Sequence, residues 1–273
     1  MNTLRKVKIR IFDYIPMKKL KGRIVYMIYA LSDIHGFYDI MVKRLSKLNI
    51  ADRIMNGEFD ELLIFLGDYI DQGPDSCKTL HYIYELQQKN PENVIVLKGN
   101  HEAMFLDFLD GKNDEWLEAD FKLNTCATFL KENQLERIKE LALERDIKKA
   151  VAFTRELIKK NHGGLIAWMR TMPCYYETES QIFVHAGVDE EAGREWKLGT
   201  SEEVLLAKNP LTTGKFYKDV IAGHIGTGAI SGDPHYHDVF YDGESHYFID
   251  GTVVVSKNIP VLCYDEVTKK YSG

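Results

Sequence analysis

Five apolar runs in this chain each stop at a short motif carrying Asp, Asn or His, and that repeated ending restricts the fold more than any other feature. The central run, Leu62-Leu63-Ile64-Phe65-Leu66, closes on Gly67-Asp68-Tyr69-Ile70-Asp71-Gln72-Gly73. A run that is apolar throughout, with no alternation, reads as a strand buried on both faces, as in a parallel sheet. Upstream, Ile24 to Leu31 ends in Ser32-Asp33-Ile34-His35-Gly36; downstream, Val94 to Leu97 ends in Lys98-Gly99-Asn100-His101-Glu102. Further on, Ile182-Phe183-Val184 meets His185-Ala186-Gly187, and Val220-Ile221-Ala222 meets Gly223-His224. Ligands of open α/β sheets gather at the carboxyl ends of the strands, so these motifs are expected along one edge.

The segments between the first three runs read as helices. Phe37, Ile40, Met41, Leu45 and Leu48 line one helical face, and Pro74-Asp75-Ser76 opens a second helix that Asn90-Pro91 stops. The alternation β-α-β-α-β then breaks at residues 103–172, read as a helical insertion beside the site. Residues 131–160 contain no Gly or Pro, and Leu143, Ile147, Val151, Thr154, Leu157 and Ile158 keep a helical stripe. Asn161-His162-Gly163-Gly164 is expected to stop it. After Pro173, strands are expected near 174–178, 181–185, 219–222, 236–241, 246–250 and 260–264, with a hairpin at Asp242-Gly243-Glu244-Ser245. The class is therefore α/β (α+β).

Charge and cysteines narrow the partners. The 273 residues carry a formal charge of −6, which argues against general affinity for nucleic acid or an anionic membrane. Residues 1–23 read as a basic N-terminal extension and 24–273 as one domain. A signal peptide is rejected, because cleavage after Ala30 would remove the strand that delivers Asp33 and His35. Cys77, Cys126, Cys174 and Cys263 are widely spaced with no Cys-x-x-Cys pair. That spacing argues against a zinc or disulfide framework and for a reducing, cytoplasmic setting.

Asp, His, Asp, Asn, His and His on five strand ends are the donor types of a two-metal site. Two divalent ions about 3.5–4 Å apart clamp a phosphoryl group and lower the pKa of a water. Asp68, on the central strand, is the candidate bridge between them. Asp33 and His35 complete one ion's protein ligands, and Asn100, His185 and His224 the other's. Mixed nitrogen and oxygen donors suit manganese or iron, and zinc, better than calcium. His101 is the candidate general acid for the leaving alkoxide, with Asp71 holding its imidazole protonated and oriented. His81 is assigned no role.

As an ordered set, Asp-x-His-Gly, Gly-Asp-x-x-Asp-x-Gly, Gly-Asn-His-Glu, His-Ala-Gly and Gly-His resemble the phosphoprotein phosphatase branch of the calcineurin-like metallophosphoesterases. The resemblance runs from about Ile24 to Tyr264 and implies a two-sheet β-sandwich flanked by helices, with the residue roles given above. Trp168 to Pro173 and His185-Ala186-Gly187 resemble the bacterial and phage members, which include diadenosine tetraphosphate hydrolases. The expected activity is hydrolysis of phosphomonoesters, in the manner of serine/threonine protein phosphatases. Hydrolysis of dinucleoside polyphosphates is the alternative. A phosphoprotein, a nucleotide or a small phosphoester is the implied partner. The chain departs from the family at Gln72, where a phosphate-binding Arg is usual, and near Lys208, where a second falls. Asp250-Gly251-Thr252 also replaces Asp-Thr-Gly. Arg170 and Arg194 are the candidates to supply the missing grip. A decayed grip would instead fit a metal-bearing binding or scaffolding protein.

Overall fold

The computed structural model describes residues 27–120 and 124–273, so the expected extension at 1–23 lies outside it. Strand β1 (Met27–Leu31) pairs in parallel with β2 (Leu62–Phe65), and β2 in parallel with β3 (Val94–Val96). On the other side of β1, β9 (Leu262–Asp265) and then β10 (Lys270–Ser272) add antiparallel, giving the order β10-β9-β1-β2-β3. The second sheet runs β4-β5-β6-β8-β7, from β4 (Tyr175–Glu177), β5 (Gln181–Val184), β6 (Asp219–Gly226), β7 (Phe240–Tyr241) and β8 (His246–Asp250).

Strand periodicity sorts the side chains into layers. Ile28 and Ala30 of β1 and Leu62 and Ile64 of β2 point between the sheets, where they meet Phe183, Ile221 and Ile249. Leu31, Leu63 and Phe65 point the other way, onto helices α1 (Tyr38–Lys47), α3 (Ser76–Lys89) and α4 (Asn100–Leu109). The outer face of the second sheet is covered by Trp196, Leu205 and Leu206. This is the expected sandwich flanked by helices. Burying each large apolar side chain contributes about 1.5–3 kcal/mol, yet β2 is apolar on both faces, so hydrophobicity alone does not fix its register. Backbone bonds beyond the strand ends add that constraint: Asp33, His35 and Gly36 donate to the carbonyls of Gly67, Asp68 and Tyr69. The same bonds hold two of the sequence motifs side by side.

The structure differs from the sequence expectations at five points. Helix α2 (Ile50–Met55) was not foreseen, nor was β10, and the strand expected at 236–241 shrinks to Phe240–Tyr241. The region between β3 and β4 is helical, with α4 followed by α5 (Glu115–Ala119), α6 (Asn124–Thr128), α7 (Glu132–Leu143) and α8 (Ile147–Met169). Its stripe does not begin where the spacing predicts, because Leu143 is 84% and Ile147 57% exposed. Arg145, with φ of 60°, turns the chain between α7 and α8, and Asp146 caps the new helix at Lys149. Nor does Asn161-His162-Gly163-Gly164 end α8. The helix kinks at His162 and continues, because Leu165, Ile166, Trp168 and Met169 carry its buried face onward. Among the described residues, no helix is long and apolar enough to cross a membrane, and all four cysteines are free.

Candidate active site

The five motifs converge on a cleft of about 170 Å³ lined in part by Asp33, His35, Asp68, Asn100, His101 and His224. Several of these residues sit in sharply turned backbone. Of the eleven non-glycine residues with positive φ among those described, six are Asp33, His35, Asp68, Asp71, Gln72 and His224. Such backbone costs about 1–3 kcal/mol per residue and persists only where the surroundings enforce it. Two glycines allow the loops to approach. A Cβ on Gly99 would lie 2.1 Å from Asp68 Oδ1, and one on Gly223 would lie 2.2 Å from Asp33 Oδ2.

Asp68 stands at the centre. Its Oδ2 is 3.3 Å from His185 Nε2, 3.7 Å from His101 Nε2 and 3.9 Å from His35 Nε2. Ligating atoms fall into two compact groups, His35–Asp68–His101 and Asp68–His185–His224, and Asp68 belongs to both. Asp33 Oδ1 lies 3.8 Å from His35 Nε2. Asn100 Oδ1 is 2.8 Å from His185 Nε2 and 3.1 Å from His224 Nδ1. His35 and His185 each donate Nδ1–H to a backbone carbonyl, of Ile70 and Leu66, both at 3.0 Å. In the neutral ring this tautomer puts the Nε2 lone pair toward Asp68, as in metal-ligating histidines. His101 instead binds Asp71 Oδ2 through Nδ1 at 2.6 Å.

The charges explain why such a site invites cations. Burial raises the Asp33 carboxyl to about 6, and the neighbouring Asp68 adds to the rise. Burial would also raise Asp68, but the imidazoles of His185, His101 and His35 outweigh it and hold the group below the usual carboxylate range. Burial lowers His35, and it lowers His224 to about 4 with help from His185. For His101, burial is overcome by the hydrogen bond to Asp71 and the charge of Asp68, which raise the imidazole to about 9. Asp68 overcomes burial at His185 as well and raises it to about 9. Without a cation His101 and His185 are therefore both held as acids, and a cation at His185 would displace its proton. His35 and His224 are held neutral, the form that ligates a metal.

Over residues 26–254 the sequence matches the family model for Calcineurin-like phosphoesterase. The chain belongs to that family. It is 37% identical over 91 residues to serine/threonine-protein phosphatase 2 of Escherichia coli, a match covering 33% of this chain and 36% of that one. It is 26% identical over 196 residues to the symmetrical bis(5'-nucleosyl)-tetraphosphatase of Buchnera aphidicola, covering 71% of this chain and 55% of that one. These matches span from about a third to about half of the relatives' lengths. Similar folds include a putative diadenosine tetraphosphatase, with TM-score 0.52, 14% identity and 92% and 93% of the two chains covered. A serine/threonine phosphatase from Saccharomyces cerevisiae gives TM-score 0.53 at 13% identity over 88% and 73%.

Four residues at this calcineurin-like site had no assigned role in the sequence reading. Glu102, fully buried, accepts the N–H groups of Asp68, Tyr69 and Gly99 at 2.8–3.0 Å and so ties the second motif to the third. It sits inside a motif already singled out, one residue past His101. Asp250 lines the cleft at the end of β8, the same strand-end position as the others, and burial with the nearby Asp33 raises its carboxyl to about 7. Trp116 Nε1 and Thr125 Oγ1 donate to Asp71 at 3.3 and 2.5 Å. No local pattern marks either of them.

The candidate phosphate ligands separate. Gln72 lines the cleft, its Nε2 3.4 Å from His35 Nε2. Lys208, Arg170 and Arg194 are not among the lining residues. Lys208 Nζ donates to the Val188 carbonyl and pairs with Glu190, and Arg170 forms a two-pronged pair with Asp110. The Arg194 guanidinium lies 4.8 Å from the centre of the Tyr217 ring.

Proposed function

We propose that the protein hydrolyses phosphomonoesters at a two-cation centre bridged by Asp68. The observation carrying this reading is the single carboxylate shared by two groups of ligating atoms, one of which includes His101, whose other ring nitrogen is held by Asp71. Asp33, His35 and Asp68 would hold one cation, and Asp68, Asn100, His185 and His224 the other. The donor set fits, since two buried carboxylates, an amide oxygen and three imidazoles face one another with no Lys or Arg among the described residues lining the cleft. Manganese or iron suits these donors, and zinc is compatible. When bound, such cations offset phosphoryl charge and make water a nucleophile near neutral pH.

The chain's own groups do the rest. Protonated His101 donates to the departing alkoxide oxygen, and Asp71 keeps the ring turned and charged for that transfer. Gln72 offers a neutral amide N–H to a phosphoryl oxygen. A second reading, hydrolysis of dinucleoside polyphosphates, is favoured by one observation: the match to the tetraphosphatase covers 71% of this chain. A reducing, cytoplasmic setting agrees with four free cysteines. Protein reconstituted with Mn²⁺ and assayed on p-nitrophenyl phosphate, a phosphoserine peptide and diadenosine tetraphosphate tests both readings. Turnover of the first two supports the proposal, and preference for the third supports the alternative. No turnover with two bound cations overturns both and leaves a binding protein.

A further inference from the structure

A second cluster of ligating side chains lies outside the cleft, between α3 and α8. Cys77 and His81 are four apart in α3, so both project from one face of the helix. His162 faces them from the point where α8 departs from helical geometry, at φ −128° and ψ 28°. His162 Nδ1 lies 3.3 Å from His81 Nε2 and 3.9 Å from Cys77 Sγ, and all three ligating atoms fall within 4.8 Å of one another. His162 Nε2 is 2.8 Å from the Phe129 carbonyl, which can only accept. Neutral His162 therefore carries its proton on Nε2 and presents a bare lone pair at Nδ1 to the cluster. A histidine fixed through its remote nitrogen by a carbonyl is the usual support of a metal ligand.

We propose that Cys77, His81 and His162 form a Zn²⁺ site distinct from the cleft, with solvent as the fourth ligand. Tetrahedral Zn²⁺ with Zn–N of about 2.0–2.1 Å and Zn–S of about 2.3 Å places neighbouring donors about 3.3–3.6 Å apart. The 3.3 Å separation of the imidazoles matches that edge, and the 3.9 Å sulfur contact closes on it with a small rotation about the Cys77 side chain. One thiolate and two imidazoles are zinc donors in kind as well. Binding would release the Cys77 thiol proton to solvent. His81 is exposed, so a cation can enter without unfolding the site. The local sequence hid this cluster because its third member is 81 residues from His81.

Such a cation would link the helical layer to the loop that carries Asp71. Cys77 follows Ser76, whose Oγ accepts the Asp71 N–H at 3.1 Å, and the Cys77 N–H donates to Thr128 Oγ1 at 3.0 Å. The bland arrangement of the same atoms is a hydrogen bond from His81 to His162 with an idle thiol beside it. Titration of the metal-depleted protein with Co²⁺ separates the two. The cleft ligands are oxygen and nitrogen only, so a thiolate-to-cobalt charge-transfer band reports this site alone. Because the cleft also takes Co²⁺, the expected result is such a band with the intensity of one thiolate-bound Co²⁺ per chain once all sites are filled, displaced by Zn²⁺. It should be absent in Cys77→Ser and weakened at least about tenfold in affinity in the exposed variant His81→Ala. No charge-transfer band, or a band unchanged in Cys77→Ser or in His81→Ala, would overturn the proposal. Because the readout is spectroscopic, its outcome is independent of any phosphatase assay.

Discussion

The floor of the cleft and its helical wall are built by opposite means. On the floor, Asp33, Asp68, Asn100, His185 and His224 each stand within a few residues of a strand, aimed by tight turns that glycines and positive φ permit. On the wall, Trp116 and Thr125 reach Asp71 from 45 and 54 positions away, through helices whose order the local sequence does not announce. The floor thus carries the candidate ligands on rigid elements, while the wall acts through Asp71 and His101, the pair that would move a proton in the proposed reaction. If that division holds, damage to the floor should abolish chemistry, and damage to the wall should only retune it.

The largest effect is expected at the floor's centre. Asp68→Asn removes charge from both ligand groups at once, so activity should fall by more than about 100-fold, beyond the loss of an outer-shell partner. Metal content should fall with it while the circular dichroism spectrum is retained. Retained activity in a folded, metal-analysed variant would break the comparison outright. His101→Ala comes next, with kcat for an alkyl phosphate reduced about 10²–10⁴-fold. The loss should be smaller on p-nitrophenyl phosphate, whose leaving group needs little protonation. Equal losses on the two substrates would remove His101 from the acid's role.

Gln72→Arg sharpens the comparison in the other direction. A charge-assisted hydrogen bond is stronger than a neutral one by about 1–2 kcal/mol, and an arginine fork fits two phosphoryl oxygens. With the side chain exposed at the cleft and no cation in its lining, kcat/KM for p-nitrophenyl phosphate should rise roughly five- to thirtyfold. An unchanged value in a fully metallated variant would mean the natural substrate is gripped elsewhere.

The smallest effect belongs to the wall. Thr125→Val removes one donor from Asp71 and leaves two, so kcat on an alkyl phosphate should fall by roughly fivefold, about 1 kcal/mol. The pH profile separates positioning from simple loosening. Asp71 helps raise His101 to about 9, so the acid form is present below that value and lost as pH rises through it. Asp71→Asn removes that support, and the alkaline limb should move to lower pH. A smaller shift of the same sign is expected in Thr125→Val. Loss of rate with an unmoved limb would assign both residues to stability alone.

Much of the floor was legible in the sequence because its signals are local. A run such as Leu62–Leu66 ending in Gly67-Asp68 states both that a strand is buried and where it stops. The two-face layering of β1 and β2 then follows from the pleat. Glu102 was missed although it lies inside a motif, because its three bonds to Asp68, Tyr69 and Gly99 exist only once two loops meet. The wall resisted for a different reason. Gly163-Gly164 is a sound stop signal, yet packing of Leu165, Ile166 and Trp168 carries α8 past it. Leu143 and Ile147 matched a helical period while standing in solvent. Arg170, Arg194 and Lys208 likewise found local partners away from the cleft lining.

In the proposed centre one carboxylate, Asp68, joins two cations. Electron paramagnetic resonance of the protein loaded with two equivalents of Mn²⁺ tests it most directly. The expected result is an exchange-coupled dimanganese signal that is lost in Asp68→Asn. Two uncoupled mononuclear signals, saturation at a single equivalent, or coupling that survives in Asp68→Asn would contradict it.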